Sequence, residues 1–452
     1  MDDLNASGGF DQLNLAGRRV AVLGAKRSGV GVARALSALD ATPTLYDKSQ
    51  DVENPEFAVV GGWDRPFSLS EADMVVTSPG VPRNADVLVG SLANGLKVIG
   101  EIELAYHLAK VPIVGITGTN GKSTCTVMTW LCLRQAGLNP LLAGNIYGSG
   151  YPEQTLVEAA MLTRESTCSA KAIVAEISSF QLEWIDDFKP AAAGITSLSE
   201  DHLDRYDHKF SEYARTKARI FENLWEDDTA VIFDGYEPRP MGCKVRTFGD
   251  IMSDARIEGQ FLVAPGCEIA LNQLPFDEPH NYRNAECAVL LATAVAGPHL
   301  AQDCLEGLRT FKPLDNRLQF VGERDGIQIV NNTMCTNPAA VISSSQAIDR
   351  PQHLLIGGRN KGASFAGVGK YIASSGHKAY VFGESGPEIA SHFGFSVDVY
   401  TSLEDAAKKA LENAQSGDTI MLAPGCASMD RFTDFAHRGE VFTRLAKEWL
   451  ER

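Results

Sequence analysis

Gly115-Ile116-Thr117-Gly118-Thr119-Asn120-Gly121-Lys122-Ser123-Thr124 follows an apolar, β-rich run from Val111 to Ile116 and opens a helix-like stretch from Cys125 to Gln135. Strand, glycine-rich loop and helix in that order set backbone N–H groups at a helix N-terminus, where they cradle phosphate oxygens. The strict phosphate-loop spacing is not met. Ile116 stands where the first glycine belongs, and glycines at 115, 118 and 121 make a tighter variant. In such a loop Lys122 reaches the β- and γ-phosphates as a point charge, and the Ser123 hydroxyl is a ligand for Mg2+. The stretch implies a nucleoside triphosphate, ATP, held by an α/β fold.

The rest of the chain divides around that loop. Its 452 residues leave room for about three domains, each with a core of its own. Upstream, Arg19-Val20-Ala21-Val22-Leu23-Gly24 reads as a short buried strand. Gly29 and Gly31 open a helix ending near Leu39, and Thr44-Leu45-Tyr46-Asp47 is a strand tipped by an acid. A further strand, Met74-Val75-Val76-Thr77, runs into Ser78-Pro79-Gly80. This is a Rossmann-like pattern, although the glycines do not make G-x-G-x-x-G and could serve helix–strand packing alone.

After the loop, strands are expected at Ala172–Ile177, Ala192–Ser197 and Thr229–Phe233, helices at Phe210–Leu224 and Asn284–Ala296, and short β-segments between Arg239 and Pro279. The last block alternates strands (Ile327–Val330, Leu354–Ile356, Ala379–Phe382, Thr419–Leu422) with helices such as Leu403–Ala414 and Val441–Leu450. The expected fold is α/β in three domains: Rossmann-like over 1–100, a phosphate-loop ATPase with a mostly parallel sheet over 101–313, and Rossmann-like again over 314–452.

Composition excludes several functions. A net charge of −16 leaves no basic surplus to neutralise a nucleic-acid backbone. The start, Met1-Asp2-Asp3-Leu4, is polar and acidic, unlike a signal peptide, and no apolar run is long enough to span a bilayer. Nine scattered cysteines without a C-x-x-C pair suggest neither a disulfide framework nor a zinc site. A cytoplasmic protein, monomeric and not inserted in membranes, is expected.

Three residues stand out for chemistry. Glu176 ends the apolar run Ala172-Ile173-Val174-Ala175, the place for an Mg2+ acid beside a phosphate loop, unless it is only a solvated strand end. His202 lies in Glu200-Asp201-His202-Leu203-Asp204-Arg205-Tyr206 and could ligate metal with Asp201 or Asp204 behind it, or be structural. Lys217, on an amphipathic helix, reads from spacing alone as a solvated lysine.

Five motifs occur in one order with compatible gaps. They are the phosphate loop, Glu176-Ile177-Ser178-Ser179-Phe180-Gln181-Leu182-Glu183, the 200–206 cluster, His280-Asn281-Tyr282-Arg283-Asn284, and Cys426-Ala427-Ser428-Met429-Asp430. Together they resemble the Mur ligase family over essentially the whole chain, and within it the branch that adds glutamate to UDP-N-acetylmuramoyl-L-alanine. The resemblance implies ATP-driven amide formation: a substrate carboxylate takes the γ-phosphate to become an acyl phosphate, and the glutamate amine displaces phosphate. It implies two Mg2+ ions, with Ser123 and Glu176 at one, His202 at the other, and Lys217 carbamylated by CO2 into an anionic oxygen donor.

By the same resemblance Gly118, Thr119, Asn120, Gly121, Lys122, Ser123, Thr124, Asn284, Arg317 and Asn332 contact ATP. Arg27, Ser28, Asp47, Lys48, Ser78 and Gly80 line the uridine-diphosphate pocket, with Asn145, Ser178 and Gln181 near the muramoyl part. Thr336 and Lys361 hold the amino acid's α-carboxylate, Ser428 and Phe435 its side-chain carboxylate.

The chain departs from the family at one place. Members of that branch usually read Asn-Asp-Ser-Lys-Ala-Thr-Asn where this chain has Asn331-Asn332-Thr333-Met334-Cys335-Thr336-Asn337. Asn332 hydrogen-bonds a ribose hydroxyl without charge, a loss of about 1 kcal/mol, and Met334 replaces a cation. L-glutamate in place of D-glutamate, another amide ligase such as a folylpolyglutamate synthase, and a non-catalytic nucleotide-binding protein are the alternatives. Ser78-Pro79-Gly80 in a Rossmann-like first block speaks against the folate enzyme, which lacks that block, and the retained Lys122, Glu176, His202 and Lys217 speak against the last.

Overall fold

The computed structural model describes residues 13–63, 69, 71–240 and 242–451; the acidic start Met1–Leu4 lies outside them. Among the described residues the strands form four sheets. The first runs Val59–Gly61, Thr42–Asp47, Arg19–Leu23, Met74–Thr77, Lys97–Gly100 in space, all parallel. The second runs Lys244–Phe248, Thr229–Phe233, Ala192–Ile195, Ile113–Thr117, Ile173–Glu176, Leu141–Gly144, Glu153–Gln154, again parallel throughout. The third runs Gln319–Arg324, Ile327–Asn331, Thr419–Leu422, Gln352–Gly357, Lys378–Phe382, Val399–Tyr400, with only its first strand antiparallel. The β-segments expected after Arg239 include a small antiparallel sheet, Arg256–Glu258, Phe261–Ala264 and Cys267–Ala270.

In the second sheet Ile113–Thr117 lies centrally, between Ala192–Ile195 and Ile173–Glu176. Its C-terminal end therefore delivers the phosphate loop beside the end of the strand that carries Glu176, the crevice where parallel α/β sheets bind ligands. The following helix, Lys122–Gln135, is buried on every side, with Val127, Met128 and Leu133 fully covered. It packs in one core with Ala285, Ala288 and Leu291 of the helix Pro279–Ala296. Burying each such large apolar side chain contributes roughly 1.5–3 kcal/mol, so the loop stands on rigid ground.

Two expectations need correction. The first and second sheets share a core on one face, where Val20, Val22 and Leu45 join Ile173, Ala175 and Ala193 in one continuous cluster, while the opposite face of each buries a core of its own. The helix expected over 210–224 is α-helical only from Phe210 to Ala218, then tightens into a 3-10 turn at Arg219–Phe221. There Arg219 donates to the carbonyls of Leu182, Glu183 and Ile185, which draws the chain out of the helical path. Among the described residues no helix is long and apolar enough to cross a membrane.

Candidate active site

Two glycines let the loop approach its neighbours. A Cβ on Gly118 (φ +144°) would stand 2.0 Å from Thr196 Oγ1, and one on Gly121 (φ +82°) 2.3 Å from Asn284 Oδ1. Gly121 is the left-handed N-cap of the helix Lys122–Gln135, and no side chain caps that terminus. Its first N–H groups are thus presented to an anion. Lys122 folds back to donate to the Thr119 carbonyl at 2.8 Å. Burial lowers its pKa, against the pull of Glu176 and Asp201.

Beneath the loop the Ser123 hydroxyl donates to the Glu176 carboxylate. Arg317 donates to Ser123 Oγ at 2.6 Å, and Asn145 Nδ2 donates to the other Glu176 oxygen at 3.2 Å. Glu176 is 3% exposed, so it is no solvated strand end. Lys217 is likewise buried, 2% exposed, against the solvated reading of its helix. Its Nζ donates to the Gly118 carbonyl at 2.6 Å and lies 4.8 Å from the centre of the Tyr213 ring. Burial, and then the charge of Lys122, hold its pKa well below the ordinary lysine value.

His202 adopts φ +52° and packs edge-on against Phe180. Its Nε2 is 3.5 Å from Lys361 Nζ and 3.8 Å from Asp201. Burial and Lys361 keep the imidazole below its usual pKa, hence neutral with a lone pair to offer. Of its two candidate partners, Asp201 is buried and ion-paired with Lys361, whereas Asp204 is exposed. Among the described residues the cluster with metal-ligand spacing is a different one, Glu103, His107 and Asp187. Glu103 already accepts the N–H groups of Asp186, Asp187 and Phe188, so it clamps a loop.

The third sheet reaches the same place. Asn337 caps the helix Pro338–Gln346 while its Nδ2 donates to Asn120 at 3.0 Å and to Asp201 at 3.4 Å. Thr336, next to it, is half-buried and Ser428 is buried. Phe435 begins the helix Phe435–Leu450. A residue that sequence reading missed ties the segments around Thr333 and Cys426 together: the fully buried Arg438, which donates to the Thr333 and Cys426 carbonyls at 2.9 and 3.1 Å. Its position three residues after Phe435 was the available signal.

Two openings flank this centre. A cleft of about 420 Å³ is lined by Asn120, Gly121, Thr124, Asn284, Arg317, Asn332 and Met334. The Asn332 amide is engaged at both ends, accepting from the Leu318 N–H at 3.1 Å and donating to Ser344 Oγ at 2.8 Å. A ribose hydroxyl would have to compete with those bonds, which corrects the simple picture of a free amide.

A cavity of about 770 Å³ is lined by Arg27, Ser28, Asp47, Lys48, Ser78, Gly80, Asn145 and Gln181. Ser178 is not among its lining residues, because it caps the helix Ser179–Leu182 in a capping box with Gln181. The lining also includes Trp63, Glu101, Tyr147 and Thr155, which no motif announced. Glu101 accepts from the Val157 N–H at 2.8 Å and from Gln181 at 3.5 Å, and burial raises its pKa to about 7.

Comparison with known proteins gives the family. Residues 116–262 match the Mur ligase middle domain and residues 316–426 the Mur ligase glutamate ligase domain. A UDP-N-acetylmuramoylalanine–D-glutamate ligase of Caldanaerobacter subterraneus subsp. tengcongensis is 35% identical over 466 residues, covering 96% of this chain and 99% of that protein. The crystal structure of the UDP-N-acetylmuramate-alanine ligase MurC from Thermotoga maritima superposes with a TM-score of 0.62 at 15% identity, covering 96% of this chain and all (100%) of that one. A bifunctional folylpolyglutamate synthase/dihydrofolate synthase superposes at 0.54 with 17% identity, covering 82% and 99%. At those identities the two structures report a shared fold and nothing finer. The two domain matches and the near full-length relative show that the chain belongs to the Mur ligase family.

Proposed function

We propose that the chain joins D-glutamate to UDP-N-acetylmuramoyl-L-alanine with ATP, through an acyl phosphate, in the making of a peptidoglycan precursor. One observation carries the reading. An unbroken run of hydrogen bonds, Asn145 to Glu176, Ser123 to Glu176, and Arg317 to Ser123, links the wall of the 770 Å³ cavity to the wall of the 420 Å³ cleft. A nucleotide-linked acceptor in the first opening and ATP in the second would meet at the Ser123–Glu176 pair. On this reading residues 1–100 hold the uridine diphosphate, 101–313 hold ATP, and 314–452 bring the amino acid.

A free carboxylate is a poor electrophile, and taking the γ-phosphate gives its carbon a leaving group. Lys122 and the loop N–H groups face the charge that grows on the transferring phosphoryl oxygens. The donor set fits Mg2+: a hydroxyl and a carboxylate side by side in Ser123 and Glu176, and the neutral imidazole of His202 for a second ion. Mg2+ supplies charge neutralisation between polyphosphate and carboxylate. Lys217 carries a buried amine whose pKa burial lowers, which favours the uncharged form that adds to CO2 with loss of one proton to give a carbamate. Lys361, with Thr336, receives the α-carboxylate of glutamate, and Ser428 and Phe435 its far end.

L-glutamate with the same acceptor is the second reading, and one contact favours keeping it. Thr333, within the departure from the family pattern, donates to the Phe435 carbonyl at 3.0 Å, so the substitution lies directly under the side-chain seat. Phosphate release from ATP is the test, with UDP-N-acetylmuramoyl-L-alanine and either D-glutamate, L-glutamate or no amino acid. Release that needs acceptor and D-glutamate together is expected. Release with L-glutamate alone selects the second reading, and turnover with a folate and glutamate instead removes both.

A further inference from the structure

Tyr147 belongs to none of the residue sets that the motifs single out, yet it touches both flanking units. Its ring is 53% exposed while it lines the 770 Å³ cavity. On one side the Arg27 guanidinium stands 5.3 Å from the ring centre, within cation–π range. Arg27 comes from the first sheet's helix, Arg27–Ser37, and donates to the Ile146 carbonyl at 3.2 Å, so the exposed side chain reaches the same turn as the ring. On the other side the Phe435 ring meets Tyr147 edge to face, with centres 6.2 Å apart and planes at 77°. One side chain of the central unit thus spans from the lining of the 770 Å³ cavity to Phe435, the first residue of the helix Phe435–Leu450.

We propose that Tyr147 is a positioning residue through which occupancy of the cavity by the nucleotide-linked acceptor favours seating of the amino acid, and the reverse. The inference rests on the reading under Proposed function. An anionic diphosphate in the cavity orders the Arg27 side chain, and an ordered guanidinium fixes the face of the Tyr147 ring. A ring so fixed offers Phe435 one surface to meet, which lowers the entropy cost of bringing that helix to the site. Coupling of this kind is reciprocal in binding free energy. The ring carries the effect; the hydroxyl plays no part in either contact.

The experiment measures steady-state phosphate release, varying glutamate at saturating acceptor and acceptor at saturating glutamate. The proteins are wild type, Tyr147→Ala, Tyr147→Phe, Phe435→Leu and the Tyr147→Ala/Phe435→Leu pair. Tyr147→Ala should raise both KM values about five- to tenfold, the low end of coupling between sites, with the larger part of the loss in KM and not in kcat. Tyr147→Phe should behave as wild type. The double variant should lose less than the product of the two single losses, because the contact between the rings is counted in both singles while Phe435 keeps a share of its own at the amino-acid seat. Losses that multiply independently in the double variant, or a Phe variant as poor as the Ala variant, overturn the proposal. Wild-type protein that turns over normally beside an unaffected Tyr147→Ala sinks this inference and leaves the parent reading standing. Wild-type protein that releases no phosphate with this acceptor removes the parent reading, and the inference falls with it.

Discussion

Single residues in this chain owe their chemistry to burial more than to type. Lys217 and Glu101 look ordinary in the sequence, a helix lysine and a helix-start acid, and the fold places each almost wholly out of water. Spacing held a hint for Lys217, since Tyr213 four positions earlier shares its helix face and is also buried. For Glu101 there was none: no motif includes Glu101 or Glu103, and only the packing of their helix, Glu101–Leu108, covers them. Glu101 has a measurable consequence. Burial raises its pKa from 4.5 to about 7, so the folded protein binds a proton that the unfolded chain has lost across that window. Stability from this group is therefore complete below about pH 4.5 and falls as pH rises towards 7. Glutamine keeps an acceptor for the Val157 N–H and cannot ionise. Denaturant melts of Glu101→Gln should match wild type near pH 5 and exceed it by roughly 2–3 kcal/mol at pH 8, the value of a two-unit shift. Parallel stability–pH curves for the two proteins would mean that the carboxyl is already ionised at pH 5.

At the scale of elements, strands and the phosphate loop were legible because their signals are local. Apolar runs ended by glycine or an acid mark Arg19–Leu23, Ile113–Thr117 and Ile173–Glu176 to within a few residues. Elements set by tertiary contact were not legible. The antiparallel edge strand Gln319–Arg324 and the helix Pro338–Gln346 carry weak periodicity, and the third sheet and its caps define them. The loop-to-helix junction itself starts at Lys122, three residues before the apolar pattern does, because Gly121 in the left-handed region begins the helix. That conformation makes Gly121 a sharp test of the element. Alanine there is strained by about 1–2 kcal/mol from φ alone, and its Cβ would displace Asn284 from 2.3 Å. Gly121→Ala should weaken ATP binding at least tenfold by calorimetry and lower the melting temperature. Gly90→Ala is the contrast: it lies within the helix Asp86–Ala93, has open space around it and no positive φ, and should be neutral or slightly stabilising. Equal ATP affinity in Gly121→Ala would show that the loop reshapes freely.

Across the whole molecule, the site exists only where the third unit meets the phosphate loop. Arg317 to Ser123, Asn337 to Asn120, and the Lys361–Asp201 ion pair are among the contacts that make that meeting. They differ in what their loss should do. The Lys361 and Asp201 side chains are 11% and 7% exposed, and removing one partner strands a buried charge, which costs about 3–5 kcal/mol. Two positions away on the same loop, Arg359 and Glu384 form a pair that is half in solvent, where a salt bridge is worth about 0–1 kcal/mol. Lys361→Met should therefore detach the third unit while the first two, which share a continuous core, stay joined. Small-angle scattering of this variant should show a larger radius of gyration than wild type, and its melt should split so that one transition comes earlier. Arg359→Ala should change neither. The unit is anchored elsewhere if Lys361→Met scatters like wild type and melts in one step. The uncompensated Asp201 would then have to be relieved by uptake of a proton, which the pH dependence of that same melt would reveal, since the variant would gain more stability than wild type as pH falls.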